Sequence, residues 1–496
     1  MIPALKTAYE VVIGLEVHAQ VKTRSKMFCR CSADYSGAEP NTHVCPVCLG
    51  MPGVLPVINA AAVEATIMTG LALNCEVPER AKFDRKNYPY PDLMKGYQIS
   101  EYDMPLCRNG HLDVEVEGQT RRIRVNRVHL EEDTARLLHR TDGSGDGYSL
   151  LDVNRAGMPL MEIVTEPDAR SPAEAIAYLT KLRQILRYLD VSDANMEEGS
   201  FRCEPNLSLR PRGASELGAK VELKNLNSFR AAHRAMEFEV ERQGRVLEGG
   251  GRIVQETRGW REEAGETASQ RSKEFAHDYR YFPEPDLPPI AVSRARVAEL
   301  RHRLPELPDA RRQRFVQDYD FTSIDVESLT ESKAVADYFE AALSSALAKA
   351  PGKRQLLPRL VKNWLLRDLN SLLHNDNLEV DKSPVSSERL AELVLLVESG
   401  AISGTAGREV LATMYATRQD AASIVTERGL GKIEDENVVA EAVRKVIAAN
   451  AKAVADYRAG KTEALKALMG PVMKETRGRA NAAEVQAMLR AELDRG

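Results

Sequence analysis

The chain has 496 residues, 43% of them hydrophobic and 28% charged, with a formal net charge of −5. A chain this long outgrows a single core and divides into several globular domains, and its net negative charge argues against coating nucleic acid along its whole length. No apolar run approaches a membrane span and Met1-Ile2-Pro3 opens no basic-then-apolar leader, so a cytoplasmic protein is expected, with neither membrane nor DNA as a partner.

The first element is Gly14-Leu15-Glu16-Val17-His18-Ala19-Gln20, where Leu15, Val17 and Ala19 alternate with Glu16, His18 and Gln20. A period of two places the acid, the imidazole and the amide on one face of a strand. Cys29, Cys31, Cys45 and Cys48 come next as C-x-C and C-x₂-C, separated by turn-forming Gly37, Pro40, Asn41 and Pro46. Two close thiol pairs joined by a loop make the S₄ set that Zn²⁺ prefers, and in a reducing compartment disulfides are the weaker alternative. Four thiolates leave no open coordination position, so such a zinc is structural. Near-helical apolar spacing then predicts a helix over 56–73.

Prolines 89 and 91 exclude a helix from the basic and aromatic stretch Lys82-Phe83-Asp84-Arg85-Lys86-Asn87-Tyr88 and the residues just after it. Cations interleaved with tyrosines on an irregular loop suit a nucleotide, and they equally suit a surface loop anchored by Tyr. On this local chemistry Lys82, Arg85 and Lys86 are candidates for contacting ATP or a carboxylate. Strands are predicted over 112–117 and 122–131; Val128 and Leu130 face one way, His129 and Glu131 the other, with Glu132 and Asp133 next. Acids and imidazoles at this spacing converge as hard-metal ligands do, and each such stretch alone also fits a half-buried sheet with a charged solvent face. Gly143, Gly145 and Gly147 mark a loop but match neither a Walker nor a dinucleotide pattern.

Ser171, Pro172 and Glu174 open a predicted helix over 171–189 as cap, first-turn proline and capping-box acid. Past it, Phe201, Cys203, Leu207 and Leu209 alternate with Arg202, Glu204, Asn206, Ser208 and Arg210, and Val221-Glu222-Leu223-Lys224 repeats the scheme. Beyond Pro288-Pro289 the spacing turns helical, over 310–318, 332–348, 355–373 and 387–397. Gly404 and Gly407 suggest a hinge, and Gly429, Gly460, Gly470 and Gly478 act as stops among short Ala-rich helices. Asn481 caps the last helix. From Glu441 onward Lys and Arg outnumber Asp and Glu.

Gly14-Leu15-Glu16-Val17-His18, Lys82 to Tyr88, Asp152-Val153-Asn154-Arg155, Met196-Glu197-Glu198-Gly199-Ser200, Leu223-Lys224-Asn225-Leu226-Asn227-Ser228 and Asp278-Tyr279-Arg280-Tyr281-Phe282-Pro283-Glu284-Pro285-Asp286 are long strings in fixed order. Together they resemble the B-subunit family of aspartyl/glutamyl-tRNA amidotransferases (GatB, of the GatCAB heterotrimer), in its branch with all four cysteines. The resemblance implies an α+β fold: a mainly antiparallel β cradle with packed helices over 1–295, a knuckle at 29–48, an all-α helical domain over 296–405 and a small helical tail domain over 406–496. It implies an ATP-dependent carbon–nitrogen ligase. Such an enzyme phosphorylates the side-chain carboxylate of Glu or Asp misacylated on tRNA, then substitutes ammonia. The ammonia is made from glutamine by the amidase (A) chain of the heterotrimer, whose third member is the small C chain.

Catalytic and metal roles carried over from the motifs fall on Glu16, His18 and Glu131, and extend to Glu132, Glu197 and Glu222. ATP, Mg²⁺ and a structural Zn²⁺ are the implied cofactors. The tail resembles a tRNA-binding module, with Lys474, Arg477 and Arg479 as candidate phosphate contacts. No amidase motif is present, so ammonia has to come from another chain. A metal-dependent phosphohydrolase or nuclease, and a non-catalytic zinc-bearing RNA-binding protein, are the alternatives that the residue types also permit.

Overall fold

Alternation pairs the first part of the chain into one large sheet. The computed structural model describes residues 8–272, 279–432, 436–459, 461, 463–476 and 479–495; Asp278, Gly460, Arg477 and Gly478 lie outside the described residues. Two compact units divide the chain, Met1–Pro308 and Asp309–Gly496.

In the first unit the strands are β1 (Tyr9–Gln20), β2 (Arg80–Ala81), β3 (Asp84–Asn87), β4 (Tyr97–Ser100), β5 (Cys107–Val116), β6 (Gln119–Glu132), β7 (Arg136–Thr141) and β8 (Gly147–Asp152). They continue with β9 (Pro159–Thr165), β10 (Phe201–Pro211), β11 (Val221–Lys224), β12 (Glu256–Arg261), β13 (Glu266–Ser272), β14 (Phe282–Pro283) and β15 (Ile290–Ala291). An open eleven-stranded sheet runs β13-β12-β11-β10-β1-β9-β6-β4-β3-β14, with β5 added beside β6. All its pairings are antiparallel except β11–β12. The glycines at 143, 145 and 147 lie at the turn of the hairpin β7–β8.

One face of this sheet is hydrocarbon. Leu15, Val17 and Ala19 of β1, Val128 and Leu130 of β6, Met161 and Ile163 of β9, and Cys203 and Leu207 of β10 are all buried in a common core. Helices α1 (Ala60–Ala72), α2 (Pro172–Tyr188) and α3 (Phe229–Glu248) contribute to it, among others, Ile67, Leu182 and Met236. Each such side chain stabilises the fold by about 1.5–3 kcal/mol on burial. Asn59 caps α1, so that helix starts after the prolines that the sequence places near its beginning, and the Ser171 hydroxyl accepts from the Glu174 amide at 3.1 Å as the capping box predicts. Helix α3 is absent from the sequence reading; its buried stripe is built of Ala231, Ala232 and Ala235 with Met236 and Val240, too small to stand out by hydrophobicity. Helix α4 (Arg294–His302) buries Leu300 in the same core and Arg296 pairs with Glu64 of α1, so the first unit runs past residue 295 to Pro308.

The second unit is helical and holds two cores. One runs from Phe315 to Leu430, the other from Val439 to Leu493. Helix Gly404–Thr417 gives Ala406, Val410, Leu411 and Met414 to the first core, so residues just after 405 belong with the middle helices and the tail core begins later. The hinge expected at Gly404 and Gly407 is instead this helix. A Cβ on Gly407 would come within 2.6 Å of Val397 and 2.9 Å of Trp364, so glycine there allows close packing. The predicted helix over 355–373 forms as Leu357–Asn363, a π-helical stretch Trp364–Leu369 and Asn370–Asn375. Asn481 caps the last helix, Ala482–Arg495. Among the described residues no helix is long and apolar enough to cross a membrane.

Candidate active site

The opposite face of the sheet carries the polar side chains, and register decides which of them meet. His18 of β1 stands opposite Arg202 of β10 and Glu162 of β9, and Glu162 stands opposite His129 of β6. Directly opposed residues share a face. His18 Nε2 consequently lies 3.4 Å from Glu162 Oε2 and 3.6 Å from Glu131 Oε1, while His129 Nε2 lies 3.2 Å from Glu162 Oε2 and 3.7 Å from Glu131 Oε2. The Ser100 hydroxyl of β4 donates to Glu131 at 3.0 Å. Burial disfavours the charged form of each of these side chains, yet the mutual pairing wins. His129 is raised to about 9 by Glu162 and Glu131, His18 is raised by the same two acids, and both carboxylates are held below their usual range.

Two residues further along the same face, Glu16 of β1, Glu204 of β10 and Glu222 of β11 form a second group, with donor atoms within 4.8 Å of one another. Lys224 lies 2.9 Å from Glu204 and 3.3 Å from Glu222, and the Lys220 charge acts on Glu16. Burial and the neighbouring Glu162, Glu204 and Glu222 raise the Glu16 carboxyl above its ordinary range, which marks an excess of negative charge. Asn206 donates to Glu16 at 2.8 Å, and its own buried Oδ1 has no partner among the described residues. Three converging acids beside an unpaired carbonyl oxygen match the donor chemistry of a hard cation. His18, Glu131 and Glu162 likewise offer three donors within 4.8 Å.

The residues nominated from sequence therefore separate. His18 and Glu131 meet, and Glu16 lies in the adjoining cluster with Glu222. Glu132, one residue past Glu131, belongs to the other side of β6; it pairs with Lys95 and accepts from the Ile99 amide at 3.0 Å, outside both clusters. Glu197 is exposed on the turn after α2 and joins no cluster among the described residues. Lys82 is tied to Asp84 and Asp103, and Arg85 is clamped by Glu284 at 2.7 and 2.8 Å with its guanidinium 4.3 Å above the Tyr97 ring. Lys86 alone of the three cations acts on the first cluster: burial pulls its ammonium down, but Glu131, then Tyr281 and Glu162, raise it overall. In the tail Lys474 is exposed, whereas Arg479 donates to the Gly429 carbonyl.

Glu162 is the member of the first cluster that sequence reasoning misses. It is the one acid in Pro159–Thr165, a strand otherwise buried and nearly continuous in hydrocarbon. That isolation is the available signal, because an acid in a central strand stays only where it finds partners.

Glu101, just past β4, is buried at 2% exposure beneath this face. Its Oε2 accepts from the amides of Leu106 and Leu130, its Oε1 is unpartnered among the described residues, and burial pushes it up to about 8. The folded protein thus holds a proton that the unfolded chain, near 4.5, releases, and stability from this group falls as pH rises from about 4.5 to about 8. Glu101→Gln is expected to flatten that fall by a few kcal/mol, read as melting temperature against pH; parallel curves for the two proteins would refute it.

The four cysteines also converge. Cys29, Cys31, Cys45 and Cys48 have sulfurs within 4.8 Å of one another, and none is in a disulfide. The Cys45 amide donates to Cys48 Sγ at 3.1 Å, and hydrogen bonding from Cys29, with the nearby Lys26 charge, favours the Cys48 thiolate. Lys26 is fully buried and its ammonium donates to the His43 and Val153 carbonyls, tying the knuckle to the chain after β8. Such a set can hold a tetrahedral metal.

An antiparallel cradle with carboxylates and imidazoles gathered on one face, helices behind it and a separate thiol knuckle defines an α+β domain with a concentrated polar face. Residues 11–298 match the GatB/GatE catalytic domain, and residues 337–493 match the GatB domain. The aspartyl/glutamyl-tRNA(Asn/Gln) amidotransferase B chain of Dehalococcoides mccartyi (strain CBDB1) is 53% identical over 493 residues, covering 99% of this chain and 100% of that one. Those of Carboxydothermus hydrogenoformans (51% over 485 residues, 98% and 99%) and Thermomicrobium roseum (53% over 485 residues, 98% and 99%) are similarly close. The chain belongs to the GatB family. The phosphohydrolase, nuclease and non-catalytic RNA-binding alternatives gain no support from these relationships.

Proposed function

We propose that this chain is the component of a tRNA-dependent amidotransferase that activates the side-chain carboxylate of Glu or Asp misacylated on tRNA(Gln) or tRNA(Asn) and converts it to the amide. The observation that carries this reading is the meeting of His18, Glu131 and Glu162 beside Lys86 on one polar sheet face, in a chain similar along 99% of its length to proteins named for that reaction. A carboxylate is a poor electrophile. Its oxygen attacks the γ-phosphorus of ATP, the bridging P–O bond breaks and ADP leaves; the ammonia nitrogen then attacks the carbonyl carbon and phosphate departs with the carboxylate oxygen.

Phosphoryl transfer asks chiefly for positioning and charge neutralisation. His18, Glu131 and Glu162 would hold Mg²⁺, and Glu16, Glu204, Glu222 and Asn206 would accept a second divalent ion. Bound there, Mg²⁺ supplies neutralisation of phosphate oxygens. His129 and Ser100 hold the acids in place, and Lys86 presents a fixed positive charge beside the cluster. The relatives are named as one component of a larger assembly. An amidase (A) chain that makes ammonia and a small C chain complete the heterotrimer in this reading, with a cytoplasmic location. The tail helices with Lys474 fit a contact to the tRNA backbone.

The reading is tested with γ-labelled ATP and the assembled complex. Label is expected to be released only when the tRNA carries the misacylated amino acid; release that is indifferent to the aminoacyl group would overturn it. The knuckle is proposed as a structural Zn²⁺ site. Stripping zinc is expected to open 29–48 to limited proteolysis while aminoacyl-dependent ATP cleavage persists. Unchanged protease resistance after metal loss would contradict that role.

A further inference from the structure

Beside Lys86, four tyrosines make a feature that phosphoryl transfer itself does not require. The rings of Tyr102 and Tyr281 lie parallel, centroids 4.0 Å apart and planes 6° apart, although the residues come from distant segments. Tyr279 meets Tyr281 edge-on at 6.1 Å and Tyr88 at 5.7 Å. The Lys86 ammonium lies 5.1 Å from the Tyr279 ring centroid and 5.8 Å from that of Tyr88, while its field reaches Glu131 and Glu162. Tyr102 is 53% exposed, a costly way to place a large ring if packing were its only task. It comes two residues after Ser100, which pairs with Glu131, so the ring stack is anchored just past the strand that borders the acid cluster.

The geometry points to a purine-binding platform: the Tyr102–Tyr281 stack takes the adenine ring of a substrate, and Lys86 leads from that base to the carboxylates where its reactive end lies. The inference rests on the function proposed above and names the recognition element of the same site. Stacking on tyrosine tolerates any orientation of a π-face, and each stacked base contributes about 1–3 kcal/mol, which is about 5- to 150-fold in binding. Adenine reaches this reaction from two sources, ATP and the 3′-terminal adenosine of the tRNA.

The test uses the complex assembled with its partner chains, with Tyr102→Ala, Tyr102→Phe and Tyr281→Ala, and measures KM for ATP at saturating misacylated tRNA and KM for that tRNA at saturating ATP. Tyr102→Ala is expected to raise one of the two at least fivefold with kcat within twofold, and Tyr102→Phe to restore it. A rise for ATP assigns the nucleotide's base, a rise for tRNA the terminal adenosine, and either supports the platform. Both KM values within twofold of wild type, or a fall in kcat alone, would overturn it. Tyr102 is surface-exposed, so its variants decide the matter even if Tyr281→Ala fails to fold. Absence of aminoacyl-dependent ATP cleavage in the wild-type complex would instead refute the proposed function.

Discussion

Glu131→Gln is expected to lower aminoacyl-tRNA-dependent ATP cleavage by on the order of 10²–10³-fold with the fold intact, as for loss of one preorganised charge at a phosphoryl-transfer site. The amide preserves the shape of the side chain and an acceptor for the Ser100 hydroxyl, which lies 3.0 Å away. What disappears is one of the two acids that, among the described residues, pair with both His18 and His129. Two imidazoles raised by paired carboxylates then share Glu162, their affinity for protons drops, and the divalent ion proposed to bind here would lose a charged ligand. Steady-state ATP cleavage at saturating Mg²⁺, with a circular-dichroism melt alongside, separates lost chemistry from lost structure. Activity within a few-fold of wild type would remove Glu131 from the site.

Lys86→Met should be nearly as damaging, with a loss of about 10²-fold or more in kcat and a smaller change in melting temperature. The methionine stem covers the apolar surface that the lysine stem covers, but the charge held between Tyr88 and Tyr279 on one side and Glu131 and Glu162 on the other is gone. Lys82 and Arg85 cannot replace it because Asp84 and Asp103 hold the first and Glu284 and Asp286 hold the second. Lys86→Arg tests this further: it keeps the charge but not its compact shape, so partial activity is expected. Full activity in Lys86→Met, measured as label released from ATP per aminoacyl-tRNA, would contradict the assignment.

Much of this site was legible in the sequence wherever period-two alternation was clean. Strands β1, β6 and β10 announce a polar and an apolar face, and the structure pairs them around β9 as one sheet. Register was not legible. Glu16 and His18 share a face, yet a two-residue step is roughly 7 Å, enough to send Glu16 to Glu204 and His18 to Glu162. Glu132 reads like Glu131 in the string His129-Leu130-Glu131-Glu132, and the pleat alone sends it to Lys95. Glu162 hides in a strand buried on both faces, and helix α3 in a stripe of alanines. The helices after 405 are divided between two cores with no proline-rich linker to mark the change, so composition could not place that boundary.

In the proposed reaction the amino acid's own carboxylate accepts the phosphoryl group on this face. Misacylated tRNA bearing ¹⁸O in the side-chain carboxylate tests it most directly, with the phosphate released during amide formation analysed by mass spectrometry. One labelled oxygen is predicted in each phosphate, transferred when ammonia displaces it from carbon. Phosphate free of label, formed at the same rate as the amide, would mean that ATP is cleaved by water and that the carboxylate is activated in some other way.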